Sequence, residues 1–288
     1  MPISEEQLKI WSHQGAITTA KATADSVKNA LSNYEFLPDG IKFEVYLQGS
    51  YKNDTNIRGD SDVDIIAQLN PIFYSNLSKN EKEYLGIKSA SYHWNDFRVD
   101  VLNTLKQYYG SANIKEGNKS LKIKANNGRL PADVVVCAEY RKYNSLNLYD
   151  YISGMIFWSQ NENREIINYP KIHYENGKQK HQNTANWYKP IVRMFKNIRS
   201  YLVEQGEIEE QLAPSYFLEC LLYNLPNDKF GVNYQETFYD IVNWLNNASL
   251  DNSICQNEQL DLFGLTPEQW LKDDAESFIQ ALIDFWNQ

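Results

Sequence analysis

The sequence predicts an α+β fold, with a mixed-sheet N-terminal lobe over 1–170 and a helical lobe over 171–288. Three observations carry this. Residues 41–48, Ile-Lys-Phe-Glu-Val-Tyr-Leu-Gln, alternate apolar and polar with period two, as a half-buried strand does. Residues 131–138, Pro-Ala-Asp-Val-Val-Val-Cys-Ala, form the most β-branched run in the chain. Beyond about residue 143 the character changes, and from 185 onward the apolar spacing is that of amphipathic helices.

The elements follow in order. Residues 4–32 read as one long helix, with Leu8, Trp11, Ala16, Ala20, Val27, Ala30 and Leu31 recurring and no internal proline. The strand at 41–48 ends at Gly49-Ser50, and a second strand runs from Asp62 to Leu69, stopping before Pro71. Residues 79–109 look helical, their later part placing Trp94, Phe97, Val101 and Leu105 on one face. A hairpin is expected around Glu116-Gly117-Asn118, and Asn127-Gly128 is a tight-turn signal feeding the β-branched strand. In the second lobe, 185–204, 213–224, 234–247 and 267–286 carry amphipathic helical patterns.

Composition narrows the function. Hydrophobic residues make up 42% and charged residues 23%, an ordinary globular balance, with no run near the ~20 apolar residues of a membrane span. Cys137, Cys220 and Cys255 lie far apart and form no metal-type cluster with the four histidines, so a cytoplasmic protein with reduced thiols is expected. The net charge is −9, unevenly spread. Residues 171–199 hold seven basic side chains against Glu175 alone, whereas 200–288 hold Lys229 and Lys272 against sixteen acids. A long polyanion would be repelled by most of that surface, while a compact nucleoside triphosphate needs only a local patch.

The chemistry concentrates at 47–65. Glycine at a strand-to-helix turn lets backbone N–H groups approach a phosphate, and a following serine adds a donor; Gly49-Ser50 supplies both. Asp62-Val63-Asp64 then puts two carboxylates on one face of a strand, where they can share divalent ions. A third carboxylate is expected from a neighbouring strand. Asp100 falls in a helical pattern, whereas Asp133 sits in the β-branched strand, so Asp133 is the better candidate.

On these residues the chain resembles the DNA polymerase β-like nucleotidyltransferases, whose signature is Gly-Ser, a short helix, Asp-x-Asp and a later strand with an acid between apolar residues. Gln48 to Tyr51, Tyr188 to Asn197 and Ala213 to Cys220 look most like the bacterial cGAS/DncV-like branch, nearest its clade E. Asp54-Thr55 departs from the Gly-Thr common in relatives. The resemblance implies a polymerase β-like core with its site in a cleft between the lobes. It also implies two Mg²⁺ ions, replaceable by Mn²⁺, on Asp62, Asp64 and Asp133. The expected product is a cyclic di- or trinucleotide that signals in anti-phage defence through a separate effector protein.

The second lobe contributes nucleotide contacts. Lys189, Arg193, Lys196 and Arg199 make a basic stripe at spacings of four, three and three, read as a phosphate-facing ridge. By resemblance Gln48, Ser50, Lys196 and Ser215 hold donor phosphates, Tyr216 stacks on a base, and Asn183 reads a base edge. No DNA or RNA activator, no membrane partner and a monomer are expected. A nucleotidyltransferase acting on an RNA end, a small molecule or a protein stays open as an alternative, as does an inactive nucleotide-binding module.

Overall fold

The structure, a computed structural model, describes residues 3–15, 17–32, 36–38, 40–59, 62–126 and 128–287, with the backbone alone at Pro71. The turn expected at Asn127 lies outside the described residues. The chain forms two units, and the division is not a single cut. Ala16–Lys52 and Ser61–Pro170 make a sheet unit; Met1–Gly15, Asn53–Asp60 and Lys171–Gln288 make a helical unit.

In the sheet unit a helix α2 (Thr18–Ser32) precedes β1 (Phe43–Leu47), and α3 (Gly49–Asn53) begins at the Gly-Ser turn. Then come β2 (Val63–Ser75), α4 (Lys79–Tyr84), α5 (Trp94–Tyr109), β3 (Ile114–Glu116), β4 (Leu121–Ile123), β5 (Ala132–Tyr143), β6 (Tyr151–Trp158) and β7 (Glu165–Asn168). The sheet runs β1-β2-β5-β4-β3, with β6 pairing a further stretch of β5 and β7 pairing β6. β2 and β5 are parallel, with Val63 opposite Ala132 and Asp64 opposite Asp133; the other pairs are antiparallel. Trp94, Phe97, Val101 and Leu105 of α5 are all buried, and the Trp94 indole donates to the Val136 carbonyl at 2.7 Å.

The helical unit holds α1 (Glu5–Trp11), α6 (Pro170–Asn183), α7 (Tyr188–Glu204), α8 (Ser215–Tyr223), α9 (Tyr234–Asn247) and α10 (Lys272–Asn287). α7 is its spine: Ile191, Met194, Phe195, Ile198 and Leu202 are buried in a core that reaches Leu8, Phe238, Phe278 and Leu282. Arg193 Nε donates to the Ser12 carbonyl and Asn197 Nδ2 to the Trp11 carbonyl, so α7 also satisfies the end of α1.

Several expectations are corrected. The helix over 4–32 is two helices in different units: α1 ends at Trp11, and beyond it the Gly15 N–H donates to the Asn56 carbonyl at 3.0 Å. A methyl at Gly15 would press on the Ile57 carbonyl, so only glycine fits there. The helix over 79–109 breaks at Gly86, whose φ is +68°. β2 does not stop before Pro71; it passes through, with the register to β5 shifting between Leu69 and Phe73. A bulge is where a strand tolerates a residue with no N–H. β6, β7 and α6 were not foreseen.

Candidate active site

The corner between β1 and β2 is built from backbone outward. Gln48 N–H donates to the Asp64 carbonyl at 2.9 Å, which closes the end of β1 onto the start of β2. Gly49 follows with φ +67°, a left-handed conformation that opens α3. A Cβ at Gly49 would overlap Oδ2 of Asp64, so the missing side chain is what lets the turn and the carboxylate occupy neighbouring space. Ser50 is the second residue of α3, partly exposed. The Gln48 Oε1 is buried without a hydrogen-bond partner, an unsatisfied acceptor beside this corner.

Asp64 and Asp133 face each other across the parallel β2–β5 pair, and Asp62 stands exposed one residue ahead of β2. Directly opposite positions on adjacent strands carry their side chains on one face of the sheet. On the other flank Lys122 of β4, the register partner of Asp133, holds its Oδ2 at 3.4 Å. Among the described residues no three acid, imidazole or thiol groups converge to hold an ion as the side chains stand. The donor set nonetheless fits an oxygen-seeking divalent cation. It offers carboxylates only, on a common edge, with the Gly49 turn leaving room at Asp64.

In the helical unit the basic stripe exists, but its heads turn inward. Lys189 Nζ reaches Asp54 Oδ2 at 2.7 Å; Arg193 donates to the carbonyls of Ser12 and Asp54; Arg199 donates to the Glu210 carbonyl at 2.7 Å. Asp54 has φ +56°, a conformation glycine adopts without strain, and Lys189 and Arg193 hold it there. As the side chains stand, Lys189 and Arg193 tie α7 to Ser12 and Asp54, and Arg199 ties it to Glu210.

Lys196 is buried. Its ammonium donates to Glu219 Oε1 at 2.6 Å, the Thr55 carbonyl at 3.2 Å and Thr55 Oγ1 at 3.3 Å. An ammonium has three donors, and these three acceptors use them all. Glu219, buried on α8, also accepts from Thr55 Oγ1 at 2.6 Å, Asn53 Nδ2 at 3.4 Å and His173 Nε2 at 3.3 Å. Burial alone would raise its carboxyl; the Lys196 ammonium and His173 outweigh that and hold it well below the ordinary glutamate range.

Ser215 is the first residue of α8, exposed, with no side-chain capping bond from Pro214 before it. Tyr216 is 40% exposed; its ring lies over His173 at 5.4 Å and 23°, and Asn257 Nδ2 donates to its hydroxyl at 3.3 Å. Asn183, at the exposed end of α6, accepts from Gln179 Nε2 at 2.8 Å. Sequence reasoning missed Lys122, His173 and Glu219 as site neighbours. The signal for Glu219 was present: a lone acid inside Phe217-Leu218-Glu219-Cys220-Leu221-Leu222 has to be paired.

Residues 175–287 match the cGAS/DncV-like nucleotidyltransferase C-terminal helical domain. Over 99% of its length the chain is 54% identical to a cyclic UMP-AMP synthase of Rhodothermus marinus, covering 98% of that protein. It is 42% identical to a cyclic nucleotide synthase of Staphylococcus haemolyticus, with both chains fully covered. The structure of the Rhodothermus marinus CdnE c-UMP-AMP synthase with Apcpp and Upnpp superposes with a TM-score of 0.95 at 53% identity, over 99% of this chain and 97% of that one.

Proposed function

The chain belongs to the cGAS/DncV-like nucleotidyltransferases, nearest their clade E, and from that premise we propose that it condenses two nucleoside triphosphates into a cyclic dinucleotide. The observation that carries this is the 54% identity, end to end, to a cyclic UMP-AMP synthase, in a chain whose Gly49 lies against Asp64 and whose Asp64 stands opposite Asp133. Adenosine and uridine triphosphates are accordingly the first substrates to test. In each of two rounds the 3′ or 2′ oxygen of one nucleotide forms a bond to the α-phosphorus of another, pyrophosphate leaves, and the hydroxyl proton is taken up.

Asp62, Asp64 and Asp133 would hold Mg²⁺ or Mn²⁺, which when bound neutralises phosphate charge and lowers the pKa of the attacking hydroxyl. The residues do the rest. Gly49 gives the phosphates close access to backbone, Ser50 donates its hydroxyl, and Gln48 fixes the corner on Asp64. Asp133 orients the attacking hydroxyl and receives its proton. Ser215 donates to the triphosphate, Tyr216 stacks on a base, and Asn183 offers an amide to a base edge. Lys196 reaches phosphate only by giving up one of its three acceptors, so we assign it first to holding Thr55 against Glu219. The product would act on a separate effector protein in anti-phage defence.

The test is incubation of the purified protein with labelled ATP, GTP, CTP and UTP in every pair, with Mg²⁺ or Mn²⁺, followed by phosphatase. A phosphatase-resistant product, strongest with ATP plus UTP and absent from Asp64→Asn and Asp133→Asn, is expected. Label transferred instead to added RNA or to protein, with no resistant nucleotide from any pair, would overturn the reading in favour of another acceptor.

A further inference from the structure

Tyr216 does not stand alone. Its ring lies nearly parallel to the His173 imidazole, 5.4 Å between centroids at 23°, and 40% of the residue remains exposed. Phe217 meets the Tyr216 ring edge-on at 5.5 Å and 73°, and Asn257 binds its hydroxyl. One face of the tyrosine is backed by a second ring, and its edge and tip are fixed. His173 is buried, its own rotation set by the bond from Nε2 to Glu219 Oε2 at 3.3 Å. Glu219 is in turn fixed by Lys196 and Thr55. The His173 Nδ1 is buried with no partner, so the imidazole makes one polar contact and otherwise serves as a flat ring.

We infer that His173 is a positioning residue for nucleotide binding, the inner ring of a two-ring stack whose outer ring, Tyr216, takes the base. The inference rests on the base-stacking reading of Tyr216. An unbacked tyrosine on a helix start can swing between rotamers, and a base must then order it at an entropic cost. A ring packed behind it removes that freedom before the ligand arrives. The polar link to Glu219 aims the imidazole, because only one of its two nitrogens has an acceptor.

The test compares His173→Ala, His173→Phe and Tyr216→Ala by nucleotide binding, using non-hydrolysable ATP and UTP analogues in calorimetry, and by the split between KM and kcat in the cyclisation assay. Thermal melting confirms that each variant is folded. Tyr216→Ala should weaken binding by about tenfold, the worth of one stacked base. His173→Ala should raise KM by about three- to tenfold with kcat nearly unchanged, since it loses pre-ordering and not chemistry. His173→Phe keeps a flat ring, strands no Nδ1 partner, and should recover most of the loss. A folded His173→Phe as weak as His173→Ala would overturn the inference, and so would a His173→Ala that binds like wild type. If Tyr216→Ala also binds normally, the base-stacking reading of Tyr216 has failed; if only the histidine variants are silent, that reading survives and this inference alone falls.

Discussion

At the residue scale, Gly49 is where backbone conformation and chemistry cannot be separated. Its positive φ disfavours any side chain, and its missing Cβ is the space beside Asp64. Alanine there would cost on the order of 1–2 kcal/mol for the left-handed conformation alone. It would also push the Asp64 carboxylate out of line with Asp133. Displacing a reacting group by about 1 Å costs on the order of a hundredfold in rate, which fixes the expectation for Gly49→Ala: a small fall in melting temperature and a loss of ~100-fold or more in kcat. A Gly49→Ala protein that turns over at near the wild-type rate would show that the turn is only a connection. Asp54 is the contrasting case. It too sits at positive φ, but its side chain is anchored by Lys189, so the cost of the left-handed conformation is compensated locally.

At the element scale, α7 and α8 show how far a sequence can be read and where reading stops. The amphipathic pattern of α7 was legible because burial follows helical period, and Ile191, Met194, Phe195, Ile198 and Leu202 are all buried. The direction of its basic heads was not, since a charge stripe looks the same whether it meets phosphate or carbonyl oxygens distant in sequence. Asp62 and Asp64 were read as a pair on one strand face with Asp133 as the third acid; β2 begins at Val63, and the register sets Asp64 opposite Asp133. Lys122 was not, because β4 is three residues long and its pairing is set by the sheet. The end of α1 at Trp11 was not legible either, since the Trp11 and Ser12 carbonyls are taken by Asn197 and Arg193, far off in sequence. Glu219 carries the prediction at this scale. Removing one partner of a buried ion pair costs about 3–5 kcal/mol, so Glu219→Gln should lower the unfolding free energy by that order at neutral pH. The folded-state carboxyl is held below its ordinary value, so its contribution is complete above the ordinary glutamate range and is lost as pH falls toward the folded value. Urea unfolding of wild type and Glu219→Gln should therefore differ most at neutral pH and converge in acid. A gap that widens in acid would contradict the assigned charge state.

At the scale of the whole molecule, charge decides between a small ligand and a polymer. The segment 171–199 is strongly basic, a stretch where a long nucleic acid could gain affinity, and the structure ties most of its cations internally. Lys189, Arg193, Lys196 and Arg199 are tied to protein oxygens, Lys180 donates to the Leu225 carbonyl, and Lys178 lies 3.8 Å from Glu175. The sixteen acids of 200–288 add repulsion that a duplex would feel along its length. A protein that neutralises Z phosphates gains affinity steeply as salt falls, so a basic segment whose cations are already tied to protein oxygens, in a chain of net charge −9, should contribute little to such a slope. Double-stranded DNA or RNA added to the cyclisation assay should accordingly change turnover by less than about twofold at physiological salt, with no mobility shift of a labelled duplex. A nucleoside triphosphate escapes this argument because its charge is compact and screened by the divalent ion it travels with. Stimulation of tenfold or more by a duplex, lost at high salt, would mean that a cationic surface exists which these ion pairs do not consume, and the signal that switches the enzyme on would have to be sought there.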